Sequence, residues 1–210
     1  MKFNFNSLGG VDTGTIELGD LTIICGPNNV GKTYISYAIY GLLRHFKRWV
    51  DLSLSSEELS KLRSEGTILI DLKKYQENLS LYLQNASKEF SENLSDYFNV
   101  PEGFFSSSKA EFSHDDLRFN FNQEFQQEIR FGQSELLTFL KEANESSLAI
   151  TLQVKEKGRV PNRILDDVIS DQITECLFLD ILPKPFVVTS ERTGIALFYK
   201  ELDISKNAII

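Results

Sequence analysis

Leu21-Thr22-Ile23-Ile24-Cys25-Gly26-Pro27-Asn28-Asn29-Val30-Gly31-Lys32-Thr33 is the stretch on which the reading of this chain turns. Its first five residues are apolar and largely β-branched, which predicts a short strand buried on both faces. The next eight fit G-x-x-x-x-G-K-[ST], the spacing of a phosphate-binding loop between a strand and a helix. Each position has a chemical reason. Glycine admits backbone that a Cβ would obstruct, so amides can curl around a phosphate. The amides and dipole at a helix start attract an anion. Lys32 is the residue to reach the β- and γ-phosphates. The Thr33 hydroxyl is the expected protein ligand to Mg²⁺, which otherwise keeps phosphate oxygens and water. Gly26, Pro27, Asn28, Asn29, Val30, Gly31, Lys32, Thr33 and Tyr34 are the expected nucleotide contacts, with Lys32 the catalytic candidate. The competing reading is a chance glycine-rich turn before a helix.

Working outward, Lys2 to Phe5 and Gly14 to Leu18 predict two short strands around a Gly9-Gly10 turn. Beyond the loop, Ile35, Ala38, Ile39, Leu42 and Leu43 recur at helical spacing. Arg44, His45, Lys47 and Arg48 follow at its far end, where cations suit the helix dipole. Ser55 and Glu58 have capping-box spacing. Leu72, Tyr75, Leu79, Leu83, Ala86, Phe90 and Leu94 predict one long helix from Asp71 to Tyr97. Asp115 to Phe131 has no decisive pattern. Ser147 to Val154 predicts a strand, Lys155 to Arg159 a charged turn, and Pro161 opens a helix that Pro183 and Pro185 terminate. Phe186 to Thr189 predicts a strand, Ser190 to Arg192 a turn, and Thr193 onward a helix.

The 210 residues are 41% hydrophobic and 25% charged, in the range of a globular chain with a core, which excludes a largely disordered polymer. The formal net charge of −8 opposes general attraction to nucleic acid or anionic membrane, so an anion site must be local. The two cysteines, Cys25 and Cys176, are too few for a disulfide framework and are expected in the core. No apolar run approaches the roughly 20 residues of a membrane span, and the N-terminus lacks a signal-peptide core. The chain is expected to be cytoplasmic, which leaves the sequons at Asn78, Asn85, Asn93 and Asn144 idle.

Gly26 to Thr33, followed by Tyr34-Ile35-Ser36-Tyr37-Ala38-Ile39-Tyr40-Gly41-Leu42-Leu43, resembles the Walker A region of the ABC/SMC/Rad50 and OLD-like ATPases, often labelled AAA-family ATP-binding proteins. Pro185 to Arg192 resembles the strand and turn that many of them carry before the signature lobe. The resemblance implies an α/β P-loop NTPase fold, an ABC/SMC-like ATPase head, with ATP and Mg²⁺ as ligands. It further implies head dimerisation on ATP binding, and an effector protein or DNA as partner by analogy alone.

On that reading residues 1–49 form the P-loop core, 50–145 a largely helical insertion, and 146–210 the return to the core as strand, helix, strand and helix. The pattern is incomplete. Ile68-Leu69-Ile70-Asp71 and Leu177-Phe178-Leu179-Asp180 end apolar runs in Asp, yet Leu72 and Ile181 stand where the catalytic Glu belongs. No Ser-Gly-Gly signature loop occurs. His45 and His114 read as exposed polar residues, and no His/Cys cluster has metal-ligand spacing. Glu191 and Arg192 read either as a surface pair or as residues near the nucleotide. The expectation is therefore the N-terminal portion of a larger ATPase, which binds ATP with little turnover alone. The alternatives are another P-loop kinase or a non-catalytic nucleotide-dependent module; an Asn-Lys-x-Asp guanine motif is absent.

Overall fold

The computed structural model describes residues 1–114, 117–132, 134–153, 160–178 and 180–187. They form a mixed α/β structure with two separate antiparallel sheets and several helices. The chain divides into two compact units. One holds Met1–Phe46, Ser87–Phe112 and the chain from Lys184; the other holds Lys47–Ala86 and Ser113–Pro183.

The first unit is built on strands β1 (Lys2–Leu8) and β2 (Val11–Glu17). They pair antiparallel around Gly9-Gly10, with Phe3 opposite Ile16 and Leu8 opposite Val11. Period-two alternation puts Phe3, Phe5 and Leu8 of β1 inside. Helix α1 (Lys32–Arg44) packs on β1 and buries Ile35, Ala38, Ile39, Leu42 and Leu43, the face its spacing predicts. Strand β4 (Lys109–Ser113) lies on the other side of β1, giving the order β2-β1-β4. Aromatic rings close this core: Phe112 sits 5.2 Å from Phe3 and 6.1 Å from Phe46, centroid to centroid. The Tyr97 hydroxyl donates to the Tyr37 carbonyl at 2.9 Å. Its ring comes so close to α1 that a Cβ on Gly41 would stand 2.6 Å from the Tyr97 Cε2.

The second unit is a four-stranded sheet with helices on one face. Its strands are β3 (Thr67–Asp71), β5 (Phe125–Phe131), β6 (Ser134–Lys141) and β7 (Ser147–Leu152), in the order β3-β7-β6-β5. Ile68 faces Ile150 and Ile70 faces Leu148 across the β3/β7 pair, and all four are buried. Helix α7 (Asn162–Phe178) contributes Leu165, Ile169, Ile173 and Leu177 to the core. Helix α3 (Ser56–Glu65) packs on β3 and β7. Its predicted capping box is formed: the Glu58 N–H donates to Ser55 Oγ at 3.2 Å, and the Ser55 N–H donates to Glu58 Oε2 at 2.8 Å. Gly66, left-handed at φ 87°, ends it. A short helix α2 (Phe46–Trp49) precedes it in the chain.

Several expectations are corrected. The single helix from Asp71 to Tyr97 is three: α4 (Lys73–Glu77), α5 (Leu79–Glu92) and α6 (Leu94–Tyr97). The breaks fall at Asn78 and Asn93, whose side-chain amides donate to the carbonyls of Lys74 and Glu89, four residues back. Such side chains compete with the helical backbone for its own acceptors. Asp71 closes strand β3 instead of opening a helix. Residues 50–145 are not largely helical: β3 lies among the helices that end at Tyr97, and β4, β5 and β6 follow.

Leu21 to Cys25, expected as a strand buried on both faces, joins neither sheet, and Leu21 and Ile23 are 80% and 75% exposed. A strand of that kind needs a neighbour on each edge and a layer on each face. The sheet of its own unit, β2-β1-β4, supplies neither to it. Cys25 is consequently exposed, and Cys176 is half-buried in α7. Residues 183–187 are not in a strand. Val188 and Thr189, the Ser190–Arg192 turn with Glu191, the helix from Thr193, and the charged turn at Lys155 to Arg159 lie outside the described residues.

Candidate functional site

The candidate loop enters α1 through backbone that the sequence makes possible. Gly31 occupies the N-cap with φ 91°, Asn29 has φ 64° and Gly26 φ 152°. Glycine and asparagine are the residues that tolerate this half of conformational space. A glycine cap leaves the start of the helix without a side-chain acceptor, and the first turn carries no acidic residue. The first intrahelical bond is Ile35 N–H to the Gly31 carbonyl at 3.1 Å. The amides ahead of it form the kind of helix terminus at which anions are stabilised.

Lys32 completes the loop. Its ammonium donates to the carbonyls of Gly26, at 2.9 Å, and Pro27. The side chain thus folds back onto its own loop. Thr33 is exposed in the first turn of α1, beside Lys32. Asn28, Asn29 and Val30 are exposed at the crown. Tyr34 turns inward: its ring lies 5.3 Å from Phe98 and 5.7 Å from Phe105. Tyr34 is therefore a packing residue behind the loop, a role its motif position does not disclose.

The loop also rests on the β1/β2 hairpin. Methyl-sized space is absent between them: a Cβ on Gly10 would stand 3.2 Å from the Val30 carbonyl carbon and 3.4 Å from the Gly31 nitrogen. From the other side, a Cβ on Gly31 would meet Val11 Cγ2 at 2.9 Å and the Gly10 nitrogen at 3.1 Å. The sequence marks Gly9-Gly10 as a turn but contains no signal for what the turn touches.

The remaining candidates have local employment. Asp71 is in the second unit, where its Oδ1 accepts the N–H of Lys73, the first residue of α4, at 3.0 Å. That bond, with Ser146 and nearby lysines, holds its carboxyl below the usual value. Asp180 stands in an exposed turn after α7. His45 caps the C-terminus of α1 and is half-buried near Tyr97, and His114 is half-buried too, so neither is the exposed residue expected. Among the described residues, no three His, Cys, Asp or Glu side chains are grouped so as to hold a metal. No described helix is long and apolar enough to cross a membrane. Burial pushes the Cys176 thiol up to about 11, with Lys141 acting weakly against it.

Lys141 is a site the sequence does not advertise. It is 3% exposed at the end of β6, and its ammonium donates to the carbonyls of Phe121 at 2.7 Å, Gln123, and Glu142 at 3.1 Å. Three main-chain acceptors satisfy the buried cation and hold the 121–123 segment. Its role is structural.

No family model, curated protein or solved structure matches the chain.

Proposed function

We propose that this protein binds ATP with Mg²⁺ through Gly26 to Thr33, as the N-terminal part of a cytoplasmic P-loop ATPase of the ABC/SMC/Rad50 and OLD-like kind. The observation that carries the reading is the pairing of an uncapped helix start with the Lys32 ammonium folded over a loop of positive-φ residues. A polyphosphate needs donors and charge close together, and the reading is supported by a lysine at the first position of α1 whose ammonium lies on the carbonyls of its own loop. Thr33, exposed in the first turn, supplies the hydroxyl that would hold Mg²⁺ together with phosphate oxygens. The metal, when bound, would neutralise the phosphate charge. The chain's own part is to bind and orient the β- and γ-phosphates through backbone amides and Lys32.

Asp71 and Asp180 have no role in this reading, since one accepts the Lys73 N–H in the second unit and the other lies in a turn. Binding without efficient turnover is the expected behaviour, with ATP favouring association of two heads. Isothermal titration with Mg·ATP, GTP competition and a phosphate-release assay test it. Micromolar-range ATP binding with negligible release is expected. No ATP binding, or preference for GTP, rejects the assignment; rapid turnover rejects only the incomplete-head part.

A further inference from the structure

We infer that the β1/β2 hairpin turn is the rear support of the nucleotide loop, and that Gly9 and Gly10 are positioning residues for it. The inference rests on the reading of Gly26 to Thr33 as a nucleotide site. Gly10 carries it. The three atoms nearest a Cβ there are all main chain: the Val30 carbonyl carbon at 3.2 Å, and the Asn29 oxygen and Gly31 nitrogen at 3.4 Å. Main chain cannot rotate aside as a side chain can, so a methyl at Gly10 requires the crown of the loop or the turn itself to give by a few tenths of an ångström. Gly9 faces the ring of Tyr34, with 2.9 Å from a Cβ position to Tyr34 Cγ, and has φ 61°. The turn thus presses both on the crown and on the first turn of α1.

The turn is itself held from behind. Ser7 has φ 51°, an uncommon state for a residue with a side chain. The hydroxyl of Ser108, a buried residue, donates to the Ser7 carbonyl. Phe105, three residues before Ser108, packs on Tyr34 as well. The segment carrying Phe105 and Ser108 therefore grips both the turn and the residue after Thr33. Displacement of that segment would reach the loop through the Ser108–Ser7 hydrogen bond and the Phe105–Tyr34 ring contact.

The test compares the full chain with Gly10→Ala, Ser108→Ala and Gly19→Ala. Gly19 is the control, since a Cβ there meets nothing within 4 Å. Two readouts are taken: Mg·ATP affinity, and hydrogen exchange of the amides of residues 29–36 without nucleotide. Gly10→Ala is expected to weaken ATP binding tenfold or more and to speed that exchange, with Gly19→Ala matching the parent chain. Ser108→Ala is expected to shift both in the same direction, about threefold.

If Gly10→Ala changes both readouts by less than twofold, the support role is overturned. If Gly10→Ala does not fold, Ser108→Ala decides by the same twofold limit. If the parent chain binds no ATP while exchange still rises in the variants, the nucleotide reading fails and the support stands. If ATP binding is absent and exchange is unchanged, both fall.

Discussion

The Lys32 ammonium lies 2.9 Å from the carbonyl of Gly26, six residues before it in the chain, and closes the loop between them. The only cation that the loop sequence contains thus lies on the carbonyls of Gly26 and Pro27. Replacing Lys32 by Ala should weaken Mg·ATP binding by about 10- to 100-fold, the equivalent of losing a charge-assisted hydrogen bond worth about 1.5–3 kcal/mol. Isothermal titration reads this directly. An unchanged affinity would remove Lys32, and with it the phosphate loop, from the function.

The two cysteines should differ sharply in alkylation. Cys25 is exposed on the segment before the loop, whereas the Cys176 thiol is pushed up by burial to about 11. Thiolate is the reactive form, so at pH 8 iodoacetamide should modify Cys25 in the folded protein and Cys176 mainly after unfolding. Mass spectrometry of a labelling time course checks the order. Equal protection of Cys25 would mean that Leu21 to Cys25 is covered.

The cap of α3 sets a pH dependence. Burial raises the Glu58 pKa, but Lys74, at 2.7 Å, and the bonds with Ser55 outweigh it, and the carboxyl sits below its usual value. A depressed folded-state pKa gives stability that is present above the unfolded value near 4.5 and lost as pH falls through the folded one. Glu58→Gln should therefore lower Tm at pH 7 and have progressively less effect as the pH is taken below about 4. Ser55→Ala should cost about 1 kcal/mol at pH 7 and keep most of that deficit at pH 3, because its bond to the Glu58 N–H persists when the carboxyl is protonated. Thermal melts from pH 3 to 7 separate the two. A Glu58→Gln deficit that persists undiminished at pH 3 contradicts the ion-pair account.

Lys141→Met should destabilise the second unit. The substitution keeps the apolar stem but removes the ammonium that ties the Phe121, Gln123 and Glu142 carbonyls together; Phe121 and Glu142 keep the N–H donors of Asn144 and Glu145, so the loss is that of hydrogen bonds to a charged group, about 1.5–3 kcal/mol. The denaturant midpoint should fall, with the ATP affinity of the first unit's loop unaffected in the folded protein. A midpoint equal to that of the parent chain would show that water replaces the ammonium without loss.

Local grammar was legible in this chain from residues alone. Ser55 and Glu58 stand three apart, and the capping box forms because both partners lie within one turn. Ile35, Ala38, Ile39, Leu42 and Leu43 share a face because 3.6-residue periodicity is a property of the helix itself. Gly9-Gly10 had to turn, and Gly31 had to admit a left-handed entry to α1. The residues of the candidate loop were likewise visible, since they are contiguous in sequence.

What tertiary structure decided were matters of partnership. Leu21 to Cys25 has the composition of a central strand, yet burial depends on neighbours that composition does not specify, and here it lies outside both sheets. Tyr34 became a packing residue through Phe98 and Phe105, more than sixty residues away. Gly10 met the backbone of Val30 because β1, β2 and α1 converge there. Sequence by itself determined the elements whose bonds close within a turn or two. The fold alone determined which of them touch, because long-range contacts depend on shape and available edges that no local window contains.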